Sequence, residues 1–273
     1  MKVHAIYFSP TGSTEKIVKV IANEFGNYHE FDLSKREQDF HQNFSQDDVY
    51  IIGVPSYGGR VPSVALERMK NFQGNNAKAV LVVSYGNRAY DDTVRELTEF
   101  VENKGFCCVA AITAVAEHSI MHQFATGRPD ESDQKELAQF AKKILDKINN
   151  GTNCGKLNVS GNFPYREYKG VPLKPKAGGK CTSCGLCARL CPVSAIPLDN
   201  PKKTDKSLCI SCMRCINLCP NDARKVNSLL VKVASKKMRS ACESKKQNEL
   251  FICKRSTVST LTFFGGCFAD TDI

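Results

Sequence analysis

The feature that most constrains this chain is a cysteine pattern that occurs twice. Both runs read C-x2-C-x2-C-x3-C-P, and the second lies 28 residues after the first. The cysteines are Cys181, Cys184, Cys187 and Cys191 in the first run, and Cys209, Cys212, Cys215 and Cys219 in the second. Ser183 and Leu190 recur as Ser211 and Leu218, so the repeat extends beyond the cysteines and indicates an internal duplication.

The spacing leaves three uses of these thiols to compare. The even total of 14 cysteines would suit a disulfide framework. The chain starts without a secretion signal, so we expect a cytoplasmic protein, whose reducing surroundings disfavour disulfides. Zinc commonly takes CxxC pairs with His, but each run has four cysteines and no His follows His122. Three thiolates spaced two residues apart can bind three irons of one cubane, so we predict [4Fe-4S] clusters, with zinc as the alternative.

Residues 178–223 resemble bacterial-type two-cluster ferredoxins, because both complete motifs are present. The resemblance implies a small α+β domain over residues 178–224. It also implies that the fourth cysteine of each run binds the cluster of the other run. The expected ligand sets are Cys181, Cys184, Cys187 and Cys219 for one cluster, and Cys209, Cys212, Cys215 and Cys191 for the other.

Charge is unevenly distributed along the chain. Residues 1–150 contain 17 Lys and Arg against 20 Asp and Glu, whereas residues 151–273 contain 21 against 8. A basic half is a feature of nucleic-acid-binding proteins. Two thiolate-bound clusters would bring about −4 to this half, so the basic residues either offset that charge or contact an acidic partner. We expect redox partner proteins and no nucleic acid. No apolar run approaches the ~20 residues of a membrane helix, so we expect no membrane span.

Apolar runs alternate with amphipathic stretches over residues 1–150. The predicted strands are Val3–Phe8, His29–Leu33, Val49–Val54, Ala79–Val83 and Phe106–Val115. Helical periods lie between and after them, most clearly from Leu137 to Ile148. Five strands that alternate with helices predict a doubly wound parallel sheet, in which ligands bind beyond the carboxyl ends of the strands.

The loop after the first predicted strand is rich in hydroxyl groups. It comprises Ser9, Pro10, Thr11, Gly12, Ser13 and Thr14 and leads into a helical pattern. Hydroxyls, a glycine and a helix N-terminus together suit a phosphate group. The alternative is an N-capped turn without a ligand, because the segment lacks both the lysine-containing P-loop motif and GxGxxG.

Two further strand ends combine glycine with tyrosine. The third strand is followed by Pro55, Ser56, Tyr57 and Gly58, and the fourth by Ser84, Tyr85, Gly86, Asn87 and, slightly later, Tyr90. A planar cofactor needs flat apolar faces and backbone hydrogen bonds at its edge. Three such loops at three strand ends favour a binding site over simple surface coverage.

With these loops, residues 1–150 resemble flavodoxins, α/β proteins whose five-stranded sheet has the order 2-1-3-4-5 and which bind FMN. The resemblance implies that Ser9 and the Thr11–Thr14 segment bind the FMN phosphate. Tyr57 and Tyr90 would cover the two faces of the flavin, and Gly86 and Asn87 would bond its edge. The sequence departs from short flavodoxins in a long loop after the fifth strand. This loop holds His118 and His122, which we interpret as loop-packing or solvated residues rather than metal ligands.

The remaining segments complete the predicted organisation. Residues 151–177 are rich in Gly and Pro and are predicted to be a linker that wraps around the protein. Residues 225–273 form a C-terminal extension with weak helical character. The order of the parts resembles flavodoxin–ferredoxin fusion proteins of anaerobes. We therefore expect an electron-transfer protein that relays electrons between two [4Fe-4S] clusters and FMN. The alternative is a ferredoxin-dependent flavin reductase that acts on a small acceptor, although no acid, base or nucleophile for a substrate stands out.

Overall fold

A six-stranded sheet organises the first part of the chain in the computed structural model, which describes residues 1–40, 44–151 and 155–254. Its strands are β1 (Val3–Tyr7), β2 (Tyr28–Asp32), β3 (Val49–Pro55), β4 (Lys78–Tyr85), β5 (Cys107–Val115) and β8 (Glu249–Ile252). The order is β2-β1-β3-β4-β5-β8, and the first five strands are parallel. The predicted order 2-1-3-4-5 and the fold class are confirmed, with strand boundaries within one or two residues of those expected.

Four helices flank this sheet. They are α1 (Ser13–Asn23), α2 (Ser63–Met69), α3 (Thr93–Asn103) and α4 (Glu131–Asn149). Helix α1 packs against β1, β3, β4 and α4, whereas α3 packs against β4 and β5. Because the strand order reverses between β1 and β3, right-handed crossovers place α1 and α3 on opposite faces of the sheet.

Burial on both faces explains why the central strands are almost entirely apolar. Every residue of Cys107–Val115 is buried, as expected for a strand covered on two sides. Helix α1 presents Ile17, Val18 and Ile21 to the sheet, which is the i, i+1, i+4 spacing of one helical face. Gly53 in β3 permits a close approach, since a Cβ atom there would lie 2.3 Å from Cγ2 of Val18.

The sixth strand comes from the C-terminal extension and was not part of the predicted sheet. Strand β8 pairs with β5 in antiparallel register, Ala111 opposite Phe251. The backbone N–H of Cys253 continues the pairing to the carbonyl of Val109 at 3.1 Å. Four residues at a sheet edge carry little periodic signal, and their partner strand lies some 140 residues earlier in the chain. This pairing joins the extension to the first domain.

The cysteine-rich segment forms a second, smaller unit. It contains a short antiparallel pair, β6 (Lys176–Ala177) and β7 (Arg224–Lys225), and two single-turn helices, α5 (Leu186–Arg189) and α6 (Arg214–Asn217). Helix α7 (Ser228–Cys242) follows and leads to β8. The side chain of Asn227 caps α7 by accepting N–H bonds from Leu229 and Leu230.

The segment between the two units is held to the first by hydrogen bonds rather than by secondary structure. The Asp92 carboxylate accepts backbone N–H bonds from Asn162 at 2.8 Å and Arg166 at 2.7 Å. Arginines of the first unit reach the second: Arg36 donates to the Arg189 carbonyl at 3.0 Å, and Arg68 to the Pro192 carbonyl at 2.6 Å. These contacts bring the cysteine-rich unit against the loops at the carboxyl ends of the strands. No helix within the described ranges has the length and apolar character needed to span a membrane.

Candidate cofactor sites

The two cysteine runs adopt the same local backbone. Ser183 and Ser211 occupy equivalent positions and have φ of 57° and 56°. Two residues later, Gly185 and Met213 again share the left-handed region, with φ of 75° and 62°. The left-handed residue precedes the single turn of helix that carries the third cysteine in each run. Because both loops repeat these unusual φ angles, we infer that they position their cysteines in the same way.

The fourth cysteine of each run accepts an equivalent hydrogen bond. The Ala195 N–H lies 3.3 Å from Cys191 Sγ, and the Ala223 N–H lies 3.2 Å from Cys219 Sγ. Burial opposes ionisation of Cys219, but backbone N–H donors at Ala223 and nearby outweigh it and hold its pKa below the usual range. Such N–H···S contacts stabilise thiolates and tune the potential of the clusters that thiolates bind.

The structure groups Cys191 of the first run with cysteines of the second. Burial raises the pKa of the Cys212 thiol to about 12, and the proximity of Cys215, Cys191 and Cys209 raises it further. Burial raises the pKa of Cys215 to about 11, with contributions from Cys209 and Cys191. Burial and mutual proximity disfavour ionisation of Cys212 and Cys215, and nearby iron ions would favour it. Crossed ligation requires Cys191 to lie near the first three cysteines of the second run, and this grouping is consistent with that requirement.

Within the described part of the chain, no three His, Cys, Asp or Glu side chains could share one metal ion. A cubane cluster differs from a single ion because its thiolates each bind a separate iron.

A cavity opens at the carboxyl ends of β1, β3 and β4, where the sequence predicted a ligand. Ten of the predicted residues line it: Thr11, Ser13, Thr14, Pro55, Ser56, Tyr57, Gly58, Ser84, Tyr85 and Gly86. The predicted residues outside its lining are Ser9, Gly12, Asn87 and Tyr90. The three strand-end loops therefore meet at one site, as the parallel topology requires.

The hydroxyl-rich loop turns sharply into α1. Gly12 precedes the helix with φ of 88°, a conformation that glycine adopts without steric cost. Ser9 lies behind the loop, where its hydroxyl accepts the Glu15 N–H at 3.0 Å. The hydroxyls of Thr14 and Ser84 are 2.7 Å apart and link two of the loops. Ser9 and Thr14 thus help to shape the loop.

Donors at this turn suit an anionic group. The backbone N–H groups of Thr11, Ser13 and Thr14 have no acceptor among the described residues. From the cysteine-rich unit, Arg214 approaches the Pro10 carbonyl at 3.5 Å, and its buried Nε has no hydrogen-bond partner. Free N–H groups at a helix N-terminus beside a guanidinium form a favourable environment for a phosphate.

Tyrosines also line the cavity, namely Tyr57, Tyr85 and Tyr168. Burial raises the pKa of Tyr57 well above its ordinary value, and the proximity of Cys212 adds to the effect. Tyr168, from the connecting segment, packs on Gly58 so closely that a Cβ there would lie 2.2 Å from its ring. Sequence reasoning did not place Tyr168 at the site, because nothing in its Gly- and Pro-rich surroundings sets it apart.

Asn87 and Tyr90 face the C-terminal extension instead of the cavity. The Asn87 amide donates to the carbonyls of Cys242 at 2.6 Å and Ser244 at 3.0 Å. The Tyr90 hydroxyl donates to Glu249 of β8. The predicted edge contact of Asn87 and face contact of Tyr90 stay predictions, since in this conformation both side chains fasten the extension.

His118 lies in the long loop after β5 and lines the cavity. Its imidazole lies beside Gly86, where a Cβ would be 2.7 Å from His118 Cδ2. Burial lowers the pKa of His118 to about 4, so the ring is neutral at pH 7. Nδ1 accepts the N–H groups of Ile120 and Met121, each at 3.2 Å, which leaves the proton on Nε2. His122 lies at the surface and pairs with Glu117.

The second cysteine run forms part of the cavity wall. Ile210 and Ser211, between its first two cysteines, line the cavity together with Tyr57 and Val171. The Ser211 hydroxyl donates to the Val171 carbonyl at 3.3 Å, which ties the cysteine loop to the connecting segment. The two predicted cofactor sites are thus neighbours that share a wall.

A family model matches the cysteine-rich part of the chain. Residues 180–223 match the family model described as a 4Fe-4S dicluster domain. No curated protein matches the chain.

Solved structures similar to this chain include two flavodoxins from Bacillus cereus. Oxidised flavodoxin 1 has 17% identity and a TM-score of 0.39, and the match covers 54% of this chain and 98% of that one. Oxidised flavodoxin 2 has 17% identity and a TM-score of 0.43, covering 54% and 99%. A flavodoxin from the domain Archaea has 13% identity and a TM-score of 0.39, covering 55% and 99%.

The sheet order and the family match together identify the parts of the molecule. A parallel sheet of order 2-1-3-4-5 with helices on both faces is the flavodoxin-like arrangement. The chain is a fusion of a flavodoxin-like α/β domain with a 4Fe-4S dicluster domain.

Proposed function

We propose that this protein relays electrons between two [4Fe-4S] clusters and FMN. The observation that carries the proposal is the shared wall: Ile210 and Ser211 of the second cysteine run line the same cavity as the strand-end loops. Clusters of this type exchange single electrons, and a flavin accepts one or two. A chain that places their binding residues against each other is suited to transfer between them.

Crossed ligation is the proposed arrangement of the clusters. The first would be held by Cys181, Cys184, Cys187 and Cys219, and the second by Cys209, Cys212, Cys215 and Cys191. The mutual proximity of Cys191, Cys209, Cys212 and Cys215 supports the second set. The N–H donors to Cys191 and Cys219 fit thiolates rather than thiols.

The proposed FMN site uses the hydroxyl-rich turn for the phosphate and the tyrosine-lined part for the ring. Thr11 and Ser13 would bind the phosphate through hydroxyl and backbone donors. Tyr57 would lie against the flavin, and Tyr168 would support it from behind Gly58. The Nε2–H of His118 is available to donate to an acceptor in the cavity.

The first cysteine run offers the more accessible point for a redox partner. Cys184 is exposed, whereas Cys191 is buried. Two exposed basic residues lie at the first run: Lys180 precedes it, and Arg189 lies between its third and fourth cysteines. A partner protein with an acidic surface would be attracted to this region. The second run, beside the cavity, would then connect that entry point with the flavin site.

Cofactor analysis of anaerobically purified full-length protein tests the cluster assignment. We expect about eight irons and eight acid-labile sulfides per chain from two cubanes. Cys215→Ser should reduce the sulfide content and alter the EPR spectrum of the reduced protein. The control is Cys242→Ser, a buried cysteine outside both runs, which should retain wild-type iron and sulfide. Stoichiometric zinc without sulfide would refute the cluster assignment.

A charge reversal at the turn tests the flavin assignment. We expect one FMN per chain, and Ser13→Glu should lower FMN affinity at least tenfold because a carboxylate would repel the phosphate. Ser63→Glu places the same charge at the exposed start of α2 and should leave binding unchanged. Equal FMN affinity for Ser13→Glu and wild type, measured by fluorescence titration, would remove the turn from the site.

A further inference from the structure

Arg224 is a buried guanidinium that contacts the cysteine loops. Its side chain is among the largest in the protein that are fully buried, with 1% exposure. Nη1 donates to the Pro201 carbonyl at 2.7 Å and lies 3.6 Å from Cys187 Sγ. Nη2 donates to the Thr204 hydroxyl, and Nε has no hydrogen-bond partner among the described residues.

Among the residues that the structure describes, no carboxylate pairs with the charge of Arg224. Within the described ranges, its hydrogen bonds go to a carbonyl, a hydroxyl and cysteine sulfur, and no Asp or Glu pairs with it. A buried cation without an anion is strongly unfavourable. Its neighbours belong to both runs, since Nη1 lies close to Cys187 of the first run and β7, which carries Arg224, packs against α6, which carries Cys215 of the second run. Thiolates of the two cluster sites are therefore the anions available to this cation.

The internal repeat shows that Arg224 is specific to one half of the duplication. The residue 28 positions earlier is Ile196, which follows the first run as Arg224 follows the second. Ile196 is also buried, at 4% exposure, so both positions belong to the interior. The two halves of the duplication therefore differ at this position, because Arg224 is a cation and Ile196 is aliphatic.

We propose that Arg224 is a positioning residue that supplies one buried positive charge to both cluster sites and raises the reduction potential of the clusters. Reduction of a cluster adds one negative charge, which a fixed cation a few ångströms away stabilises. The low-polarity interior keeps this interaction strong, since solvent and salt do not screen it. The inference rests on the proposed cluster sites and assigns a role within them.

An EPR-monitored redox titration of the full-length, cluster-loaded protein tests this role. Arg224→Met should lower the midpoint potentials, changing the one-electron equilibrium at least tenfold, which corresponds to about 59 mV. Arg224→Lys keeps the charge and should retain most of the wild-type potential. Lys225→Met removes an adjacent but exposed charge and serves as the matched control, with no comparable shift expected. Equal potentials for Arg224→Met and Lys225→Met would overturn the proposal.

Loss of the clusters in Arg224→Met would also be informative. Iron and sulfide content that is restored by Arg224→Lys but not by Arg224→Gln would support a requirement for charge. Full loading of Arg224→Gln with wild-type potentials, or loss in all three variants, would show that shape rather than charge is required. A wild-type protein without iron and sulfide would instead refute the proposed function, and this role with it.

Discussion

Gly53 allows helix α1 to pack tightly against the sheet, so an added methyl group should disturb both the fold and the flavin site. The residue lies in the middle of β3, between Tyr7 of β1 and Val82 of β4. A Cβ at this position would lie 2.3 Å from Cγ2 of Val18 and 3.2 Å from Cγ2 of Thr14. Carbon atoms in favourable contact are about 3.5–4.0 Å apart, so Gly53→Ala would push α1 away by more than about 1 Å.

The expected loss of stability in Gly53→Ala follows from the cost of overfilling a packed core. Inserting a methyl group where the surroundings must shift costs about 1–3 kcal/mol. The displaced helix begins with the turn that carries Ser13 and Thr14, and the Thr14 hydroxyl is 2.7 Å from that of Ser84. Gly53→Ala should therefore lower stability and also raise the FMN dissociation constant, by about tenfold if the turn loses about 1.4 kcal/mol of binding energy.

Urea unfolding and FMN titration of the full-length protein measure the two effects. Gly179→Ala is the matched control, because a Cβ at Gly179 would meet no atom within 4 Å. Val18→Ala in the Gly53→Ala background removes the clashing methyl groups and should recover part of the FMN affinity. If Gly53→Ala stayed within about 0.5 kcal/mol of wild type, the close packing of α1 on β3 would be incorrect.

Two further predictions concern the C-terminal extension and a buried ion pair. Asn87→Ala should destabilise the docked extension by about 1–3 kcal/mol, because it removes amide bonds to Cys242 and Ser244. Hydrogen exchange of residues 242–252 should then accelerate, whereas Gln123→Ala, which loses one exposed bond to Ser235, should change little. Burial opposes ionisation of Asp133, but the Arg128 guanidinium outweighs it and holds the Asp133 pKa below its ordinary 3.8. Stability from this carboxylate is present above pH 3.8 and lost as the pH falls through the lowered value. Asp133→Asn should therefore cost about 3 kcal/mol at pH 7, and its difference from wild type in urea unfolding should shrink below pH 3.8; a constant difference would contradict the pairing.

Local sequence signals were sufficient for the framework of the site. Hydrophobic runs between amphipathic stretches predicted five parallel strands, and the carboxyl ends of these strands placed Thr11, Ser13 and Tyr57 at one edge. That inference works because a parallel topology brings strand ends together whatever the details of packing. The cysteine repeat likewise predicted two equivalent loops, which have matching φ angles at Ser183 and Ser211.

Long-range packing decided the remaining features. Tyr168, His118 and Ile210 reach the cavity from segments without a periodic pattern. Asn87 lies in a loop whose composition is typical of ligand binding. Its side-chain amide donates to the extension instead, because β8 docks beside β5.

The resemblance to flavodoxins implied the sheet order and FMN. The sequence by itself determined the parallel sheet and the duplicated cysteine loops, with the iron–sulfur clusters that these loops predict. Those properties depend on contacts between neighbours in the chain and on the alternation of strands and helices. Only the tertiary structure placed the second cysteine run against the strand-end loops and Arg224 between the two runs. Such contacts join residues far apart in sequence, and they arise from the shapes and charges of whole surfaces, which no short pattern encodes.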